Sequence, residues 1–224
     1  MQMIDNMVCL ANSKKHSGRC IAGKTRLANG AWSWVRPVGV TSSREITEAD
    51  RQYADGSRAQ VLDVIGMPIQ RQDAHPYQKE NIVIDNGLYW IKRGSFPRTD
   101  LQSLTDAPTT LWENGNSTIH GINDRVSGSL LSQHRDTLFF IPVGGVNIFV
   151  AAESSNYGNN KLSARAAFTY NGDQYSLKIT DPELEQRYVS RGAGNHDAPE
   201  ISYFTVSLSE PFNGDAYKLI AAAF

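Results

Sequence analysis

The sequence predicts a mainly β protein with two five-stranded barrels, short helices and an irregular connector. Two tight-turn dipeptides, Asn29-Gly30 and Asn171-Gly172, each separate segments that favour β-strands. The same order of predicted elements recurs in the two ends of the chain. Its 224 residues, 40% of them hydrophobic, suffice for one large folded domain or two small ones.

The clearest element is a hairpin at residues 162–179, LSARAAFTYNGDQYSLKI, with Asn171-Gly172 as its loop. This register places three apolar pairs on one face: Phe168 with Tyr175, Ala166 with Leu177, and Ala164 with Ile179. The opposite face pairs Thr169 with Gln174, Ala167 with Ser176, and Arg165 with Lys178. Because like charges directly opposite each other repel, Arg165 and Lys178 either diverge into solvent or hold an anion between them.

The segments around this hairpin complete a second barrel. Residues 139–153, FFIPVGGVNIFVAAE, predict a strand that is interrupted by a proline and a glycine pair. Asp181 before Pro182 predicts the start of a short helix, since the aspartate can cap it and the proline suits its first position. Strands follow at about 201–208 and 216–223. Three strands, a short helix and two strands is the element order of the OB-fold, a five-stranded Greek-key barrel.

The N-terminal part predicts the same order of elements. Strands are expected at 7–11, 19–27 and 32–38, a short helix at 46–54, and strand regions at 60–69 and 81–92, the last with a turn at Asp85-Asn86-Gly87. The predicted domains are a first OB-like barrel at 1–95, a connector at 96–138 and a second OB-like barrel at 139–224. The connector is rich in Ser, Thr, Asn, Asp and Gly, and short helical segments are predicted at 100–105 and 122–133.

Residues 18–25, GRCIAGKT, fit the phosphate-loop pattern G-x-x-x-x-G-K-[ST] of nucleotide triphosphatases. In such a loop a helix begins at the lysine and supplies part of the anion site. Here the Asn29-Gly30 turn follows Lys24 closely, and Trp32 and Trp34 favour a strand. The segment is therefore interpreted as the end of a loop that enters a strand, and the agreement with the phosphate loop as accidental.

The net charge of −1 hides an uneven distribution of charge. From Asn6 to Arg44 the chain has no Asp or Glu but seven Lys or Arg residues, interleaved with Trp32 and Trp34. Such a stretch is either a solvated surface or an anion-binding one. The candidate residues for nucleic-acid or phosphate binding are Lys14, Lys15, Arg19, Trp34 and Arg36 in the first barrel, and Arg165, Lys178 and Lys218 in the second.

Nothing in the sequence indicates an enzyme. The five histidines form no zinc-binding pattern, and the carboxylates show no spacing typical of an acid–base pair. Cys9 and Cys20, the only cysteines, suggest neither a metal site nor a disulfide framework. The N-terminus lacks the pattern of a secretory signal, and no apolar run is long enough to span a bilayer. We therefore expect a cytoplasmic protein with no catalytic residues, metal, cofactor or membrane contact.

Several motifs together resemble one known family. They are the stretches VCLANSKKHSGRCIAG and WSWVRPVG, the hairpin with its extension KLSARAAFTYNGDQYSLKITDPELE, and the final TVSLSEPFNGDAYKLIAA. They are similar to the dual OB-containing domain family of bacteria, over most of the chain. In residues 96–137 the agreement is loose, although Asn123-Asp124-Arg125 fits. The resemblance implies two OB barrels, a nucleic-acid-binding role and a place in larger defence or conflict systems.

Three functions follow as hypotheses. The first is a module that binds single-stranded DNA or RNA through a basic groove and aromatic platforms. The second is a pocket for a small phosphorylated nucleotide, which the Arg165 and Lys178 pair would suit. The third is a scaffold that docks to a partner protein of the same system. The near-neutral net charge favours the second and third over a general single-strand binder, and all three stay open on the sequence alone.

Overall fold

The computed structural model describes residues 2–73, 75–153 and 161–224. The chain forms two compact units, Met1–Leu104 and Thr105–Phe224, each of which is described by itself. The predicted connector is divided between these units. Strands dominate both, and the described residues contain one α-helix and two 3₁₀ helices, so the prediction of a mainly β chain is confirmed.

The first unit is a closed OB barrel. Its strands are β1 (Gln2–Lys15), β2 (Gly18–Arg26), β3 (Trp32–Val38), β4 (Asp63–Gln72), β5 (Asn81–Ile84) and β6 (Ile91–Ser95). The order β1-β2-β3-β5-β4 closes because β1 also pairs with β4. β3 and β5 are parallel, and the other pairs are antiparallel. β6 pairs with β4 beyond the end of β5, so β5 and β6 together serve as one interrupted fifth strand.

Alternate residues of these strands fill the barrel. One buried cluster takes residues two apart from three of the strands, with one residue each from β2 and β3: Met7 and Cys9, Ile65 and Met67, Ile82 and Ile84, Ile21, and Val35. This spacing is the period of two expected for strands with one face in the core. The intervening side chains of β2 and β3 consequently lie on the outer face of the barrel.

The short helix predicted at 46–54 does not form. Thr47 and Asp50 cap each other, and the Arg51 N–H donates to the Thr47 carbonyl, but only this single turn follows. The next backbone groups are used elsewhere, since Gln52 and Tyr53 form bridges with Arg58 and Trp90. Those pairings with residues outside the segment replace the helical bonds that the local sequence favoured.

The apparent phosphate loop lies within β2, as the sequence analysis interpreted it. A Cβ on Gly23 would lie 2.2 Å from the carbonyl oxygen of Val8, and one on Gly18 would lie 2.5 Å from that of Ile46. Both glycines are therefore needed because another part of the backbone passes close by. No helix starts at Lys24, whose ammonium donates to the backbone of Leu104.

The second unit repeats the OB strand order. Its elements are β7 (Arg125–Ser127), β8 (Leu138–Pro142), β9 (Asn147–Ala152), β10 (Leu162–Tyr170), β11 (Asp173–Ile179), α1 (Pro182–Val189), β12 (Gly194–Asp197), β13 (Tyr203–Leu208) and β14 (Asp215–Ala223). Within the sheet the order β9-β10-β11-β14-β13 corresponds to strands 1-2-3-5-4 of the first barrel, and β11 and β14 are parallel.

The predicted interruption of the strand at 139–153 is confirmed. The segment divides into β8, which pairs with β13, and β9, which pairs with β10. Gly145, in the link between them, has a φ of +62°, in the left-handed region that glycine adopts without strain. One stretch of chain thus supplies strands at or near both ends of the strand order of the second sheet.

The hairpin and the helix cap also agree with prediction. Phe168 faces Tyr175, and Arg165 faces Lys178, while the loop residues Asn171 and Gly172 both have positive φ. The Asp181 carboxylate accepts from the N–H groups at the start of α1. In the predicted connector, the 3₁₀ helices are Arg98–Leu104 and Gly128–Gln133, and strand β7 occupies part of the segment predicted to be helical at 122–133.

Candidate nucleic-acid interface

Two cation–aromatic pairs lie side by side on the outer face of the first barrel. The register of β2 and β3 places Arg26 opposite Trp32 and Lys24 opposite Trp34. The Arg26 guanidinium lies 6.0 Å from the centre of the Trp32 ring, and the Lys24 ammonium 4.9 Å from that of Trp34. We call these four residues the cation–aromatic ladder. Aromatic rings beside cations are the groups with which OB barrels stack bases and hold phosphates.

Part of the ladder is covered by the end of the same unit. Lys24 is buried, and its Nζ donates a hydrogen bond of 2.7 Å to the carbonyl oxygen of Leu104, the last residue of the 3₁₀ helix Arg98–Leu104. Phe96, just before that helix, packs edge-on against Trp32 at 6.3 Å. The two indole rings are half-buried and Arg26 is exposed. The accessible part of the ladder is therefore Arg26 with one side of the tryptophans.

Arg26 was not among the residues that the sequence analysis selected as a site. The folded hairpin has a three-residue loop at 28–30, which pairs Arg26 with Trp32. A two-residue loop at Asn29-Gly30 would have paired Arg26 with Ser33, so the sequence signal alone did not identify it. Trp34, which was selected, lies on this face as a half-buried ring. The interface is thus made by neighbouring residues of one hairpin rather than by the most basic part of the sequence.

The selected residues Lys14, Lys15 and Arg19 lie near the β1–β2 turn. In the antiparallel pairing of β1 and β2, Lys14 lies opposite Arg19 and Lys15 lies opposite Gly18. Lys14 is exposed, while Lys15 and Arg19 are half-buried. Ser17, in the turn, donates to the Glu45 carboxylate through both its N–H and its hydroxyl, which fixes the turn on the segment that follows β3.

Three arginines converge on a single carboxylate next to this turn. Glu48 accepts from Arg19 at 3.1 Å and from Arg51 at 2.6 Å, and Arg58 lies 3.3 Å away. Burial tends to raise the pKa of Glu48, but the hydrogen bonds from Arg51 and Arg19 outweigh it and hold this pKa below its usual value. Three guanidinium groups share one negative charge, so this cluster remains positive.

Arg36 does not lie on the accessible surface. Its guanidinium pairs with Glu80 at 2.9 Å, and both side chains are less than a tenth exposed. The sequence analysis selected Arg36 because no acid is near it in the chain. The structure brings one from the loop before β5, so the expected phosphate contact is not supported at this position.

In the second unit Arg165 and Lys178 lie opposite each other, but no external anion is needed between them. Glu153, just after β9, accepts from Arg165 at 2.6 Å and from Lys178 at 2.7 Å. Asp124 accepts a further hydrogen bond of 3.0 Å from Arg165. Two carboxylates therefore balance the two cations, which corrects the expectation that this pair is left without a counter-ion.

The Glu153 carboxylate is held in its charged form. Burial raises its pKa, but hydrogen bonds from Lys178 and Arg165 outweigh that effect and lower the pKa to about 2. Glu153 remains charged across the physiological range as a result. A phosphate that approached Arg165 would have to displace a strongly held carboxylate.

Lys218 is also used inside the second unit. It is 1% exposed, and its Nζ donates to the Glu113 carbonyl at 2.5 Å and to Asn114 Oδ1 at 3.1 Å. The ammonium lies 5.3 Å from the centre of the Tyr175 ring. Burial lowers the pKa of Lys218 to about 8, against the opposing effect of nearby carboxylates. The structure therefore does not support Lys218, one of the candidate residues of the sequence analysis, as a nucleic-acid or phosphate contact.

A segment of the second unit pairs with part of β11 through its backbone. Ile122 forms a bridge with Ser176, and the Asn123 side chain donates to the Gln174 carbonyl at 2.9 Å. Asp124 completes the contact by its hydrogen bond to Arg165. In the second unit, residues 122–124 thus contact β10 and β11, the strands that correspond to the ladder strands β2 and β3 of the first unit.

Both units have the same strand order, with a parallel pair between the third and fifth strands. The sequence model described as the dual OB-containing domain matches residues 5–223. The chain belongs to the dual OB-containing domain family. Comparisons with curated proteins and with solved structures gave no significant match. Family membership accounts for the repeated strand order, and the sequence resemblance is confirmed.

Among residues 2–73, 75–153 and 161–224, no group of three or more His, Cys, Asp or Glu side chains is placed to hold a metal ion. No helix in the described part of the chain has the length and apolar character needed to cross a bilayer. Both cysteines are free thiols, and burial raises the pKa of Cys9 to about 12. Cys9 is consequently unsuited to act as a nucleophile.

Proposed function

We propose that the chain is a nucleic-acid-binding module that binds single-stranded DNA or RNA through the first barrel. The observation that carries this proposal is the cation–aromatic ladder on the outer face of β2 and β3. This face of an OB-fold is the one that commonly receives oligonucleotides. Stacking of bases on Trp32 and Trp34 would be tolerant of sequence, since every base has an aromatic face.

Electrostatic support comes from Arg26 and from the β1–β2 turn. Arg26 is exposed beside Trp32, and Lys14 is exposed opposite Arg19. The excess positive charge around Glu48 adds to the field near Arg19. With so few free cations, stacking has to contribute much of the binding free energy, and the affinity should fall moderately with salt.

In the second unit, the strand would not be contacted through Arg165, Lys178 or Lys218. Their charges are already compensated by Glu153 and Asp124 or engaged with backbone carbonyl groups. The alternative of a small-nucleotide pocket between Arg165 and Lys178 is accordingly not favoured. The scaffold function, with a partner protein of the same system, is the outcome left if no nucleic acid binds.

The experiment is a fluorescence-anisotropy titration of the full chain with labelled single-stranded DNA and RNA of several lengths, and with free nucleotides as competitors. Affinity that rises with length over the first few nucleotides supports a strand-binding face. No binding of any strand near physiological salt would reject the proposal and favour the scaffold. A role in bacterial defence, a cytoplasmic location and the absence of catalysis stay predictions, and a phage challenge of cells with and without the gene tests the first.

A further inference from the structure

A recess lies at one end of the first barrel, apart from the cation–aromatic ladder. It has a volume of about 310 Å³ and lies where the ends of β3, β4 and β5 meet the loop of residues 39–44. The strand register brings these parts together, because Val38 and Arg71 both pair with Val83. The volume is at the lower end of the range for small-molecule pockets, which suits one nucleotide-sized ligand.

The loop that forms one wall is held by its own hydrogen bonds. The Gly39 N–H donates to the Arg44 carbonyl, and the Arg44 N–H donates to the Thr41 carbonyl. A Cβ on Gly39 would lie 2.3 Å from the carbonyl oxygen of Glu45, so only glycine fits there. The wall is therefore largely formed before any ligand arrives, which lowers the entropic cost of binding.

The charges that line the recess leave one cation without a counter-ion. Arg44 forms an ion pair with Asp73. Arg71 is exposed, and within the part of the chain that the structure describes its guanidinium makes no hydrogen bond or ion pair. Two arginines and one aspartate give the recess a net charge of +1. A planar guanidinium with free donors is well suited to bind a phosphate through two parallel hydrogen bonds.

The rest of the lining complements a phosphorylated ligand that also has an apolar part. Thr41 and Ser42 bring hydroxyl groups to the recess, and the Thr41 hydroxyl lies 3.1 Å from that of Ser43. Val40, which is half exposed, and Val83 supply an apolar wall. This combination of one free guanidinium, hydroxyl donors and a small apolar surface fits a nucleoside monophosphate better than a bare apolar compound.

We propose that this recess binds a phosphate monoester of nucleotide size, with Arg71 as the main phosphate contact. The phosphate has two possible sources, a free mononucleotide or the phosphorylated end of a nucleic-acid strand. Val38 is an even-numbered residue of β3, as are Trp32 and Trp34, so the recess lies beyond them on the same side of this strand. A strand bound on the ladder could therefore place its phosphorylated end here, and this second source rests on the proposed function.

The first arm of the test is isothermal titration calorimetry of the full chain with AMP, GMP, CMP and UMP, with adenosine and with inorganic phosphate. Binding of at least one monophosphate, more than tenfold weaker binding of the nucleoside, and a loss of at least tenfold in Arg71→Gln are expected. Arg98→Gln removes an exposed arginine of the same unit outside the recess and should change nothing. Thermal unfolding of both variants shows that each is folded.

The second arm compares oligonucleotides that differ only in a terminal phosphate. If strand ends are the source, phosphorylated strands bind more tightly to the wild type, and Arg71→Gln abolishes the difference. The recess proposal is overturned if no monophosphate binds and no terminal phosphate strengthens strand binding. It is also overturned if Arg71→Gln and Arg98→Gln reduce mononucleotide binding equally. Length-dependent strand binding in that case would leave the proposed function standing, so the two failures are distinguishable.

Discussion

The ammonium of Lys24 donates a 2.7 Å hydrogen bond to the carbonyl oxygen of Leu104, eighty residues away along the chain. Lys24 lies on the outer face of β2 and is buried, and Leu104 ends the 3₁₀ helix Arg98–Leu104. The bond fixes the end of this helix beside the cation–aromatic ladder. It also explains why the lysine of an apparent phosphate loop is unable to reach a nucleotide.

Replacing Lys24 by methionine should destabilise the protein by about 1.5–3 kcal/mol. The substitution keeps most of the apolar side chain but leaves the buried Leu104 carbonyl without its charged donor. Urea denaturation measures the change in the free energy of unfolding. The matched control, Lys14→Met, changes an exposed lysine and should stay within about 0.5 kcal/mol. Equal effects of the two substitutions would show that the Lys24 bond contributes little.

Phe168→Ala should cost about 3–5 kcal/mol of stability, because a large aromatic ring is removed from a packed core. The ring is 5% exposed and lies 5.5 Å from Tyr175 and 5.1 Å from Phe204, centre to centre. Thr169→Ala, at the exposed neighbouring position, serves as the control and should be close to neutral. Thermal or chemical unfolding gives both values, and a Phe168→Ala change near zero would contradict the register of the hairpin.

The ion pairs of Glu153 should make stability depend on pH in the acid range. The folded protein lowers the pKa of Glu153 from 4.5 to about 2, so the unfolded chain binds its proton more readily. The resulting stabilisation is complete above about pH 5.5 and is lost as the pH falls through 4.5 towards 2. A pKa difference of about 2.5 is worth about 3.4 kcal/mol, and solvent screening of these partly exposed ion pairs reduces the contribution to about 2–3 kcal/mol. Unfolding measured from pH 7 to pH 2 should show a shallower acid decline in Glu153→Gln, and parallel curves for the two proteins would refute the assignment.

Lys218 should titrate far below an ordinary lysine. Burial lowers its pKa from 10.5 to about 8, because the ammonium loses its hydration. The attraction of the nearby carboxylates offsets only part of this effect. Because the unfolded chain holds this proton more tightly, this group adds stability as the pH rises from about 8 to about 10.5. Carbon-13 NMR of the lysine side chains measures the midpoint, and the signal is assigned by its absence in Lys218→Arg. A midpoint near 10.5 would contradict the buried position.

The sequence correctly predicted elements whose structure depends on residues that are close together in the chain. The Asn171-Gly172 loop set the register of the second hairpin, and Asp181 before Pro182 located the start of α1. The helix expected at 46–54 failed because Gln52 and Tyr53 pair with residues outside the segment. Long-range pairing is not encoded in the spacing of nearby residues, so only the folded chain reveals it.

The candidate site was harder to predict for the same reason. Arg36, Arg165 and Lys178 have no acid close to them along their own strands, yet Glu80 and Glu153 reach them in the folded protein. Charge runs in a sequence therefore overestimate the accessible positive surface. The pairing of Arg26 with Trp32 was likewise not fixed by the Asn29-Gly30 signal, because a two-residue loop there would pair Arg26 with Ser33 and the folded hairpin has a three-residue loop.

The central claim is that the outer face of β2 and β3 binds nucleic acid, and the most direct test is the salt dependence of oligonucleotide binding to Arg26→Gln. Anisotropy titrations over a range of salt concentrations should show weaker binding than wild type and a log–log slope reduced by about 0.7, the value for one lost phosphate contact on a single strand. Arg187→Gln, which removes an exposed arginine of α1 in the second unit, should bind like wild type. Arg26→Gln with the affinity and slope of the wild type, or an equal loss in Arg187→Gln, would contradict the claim.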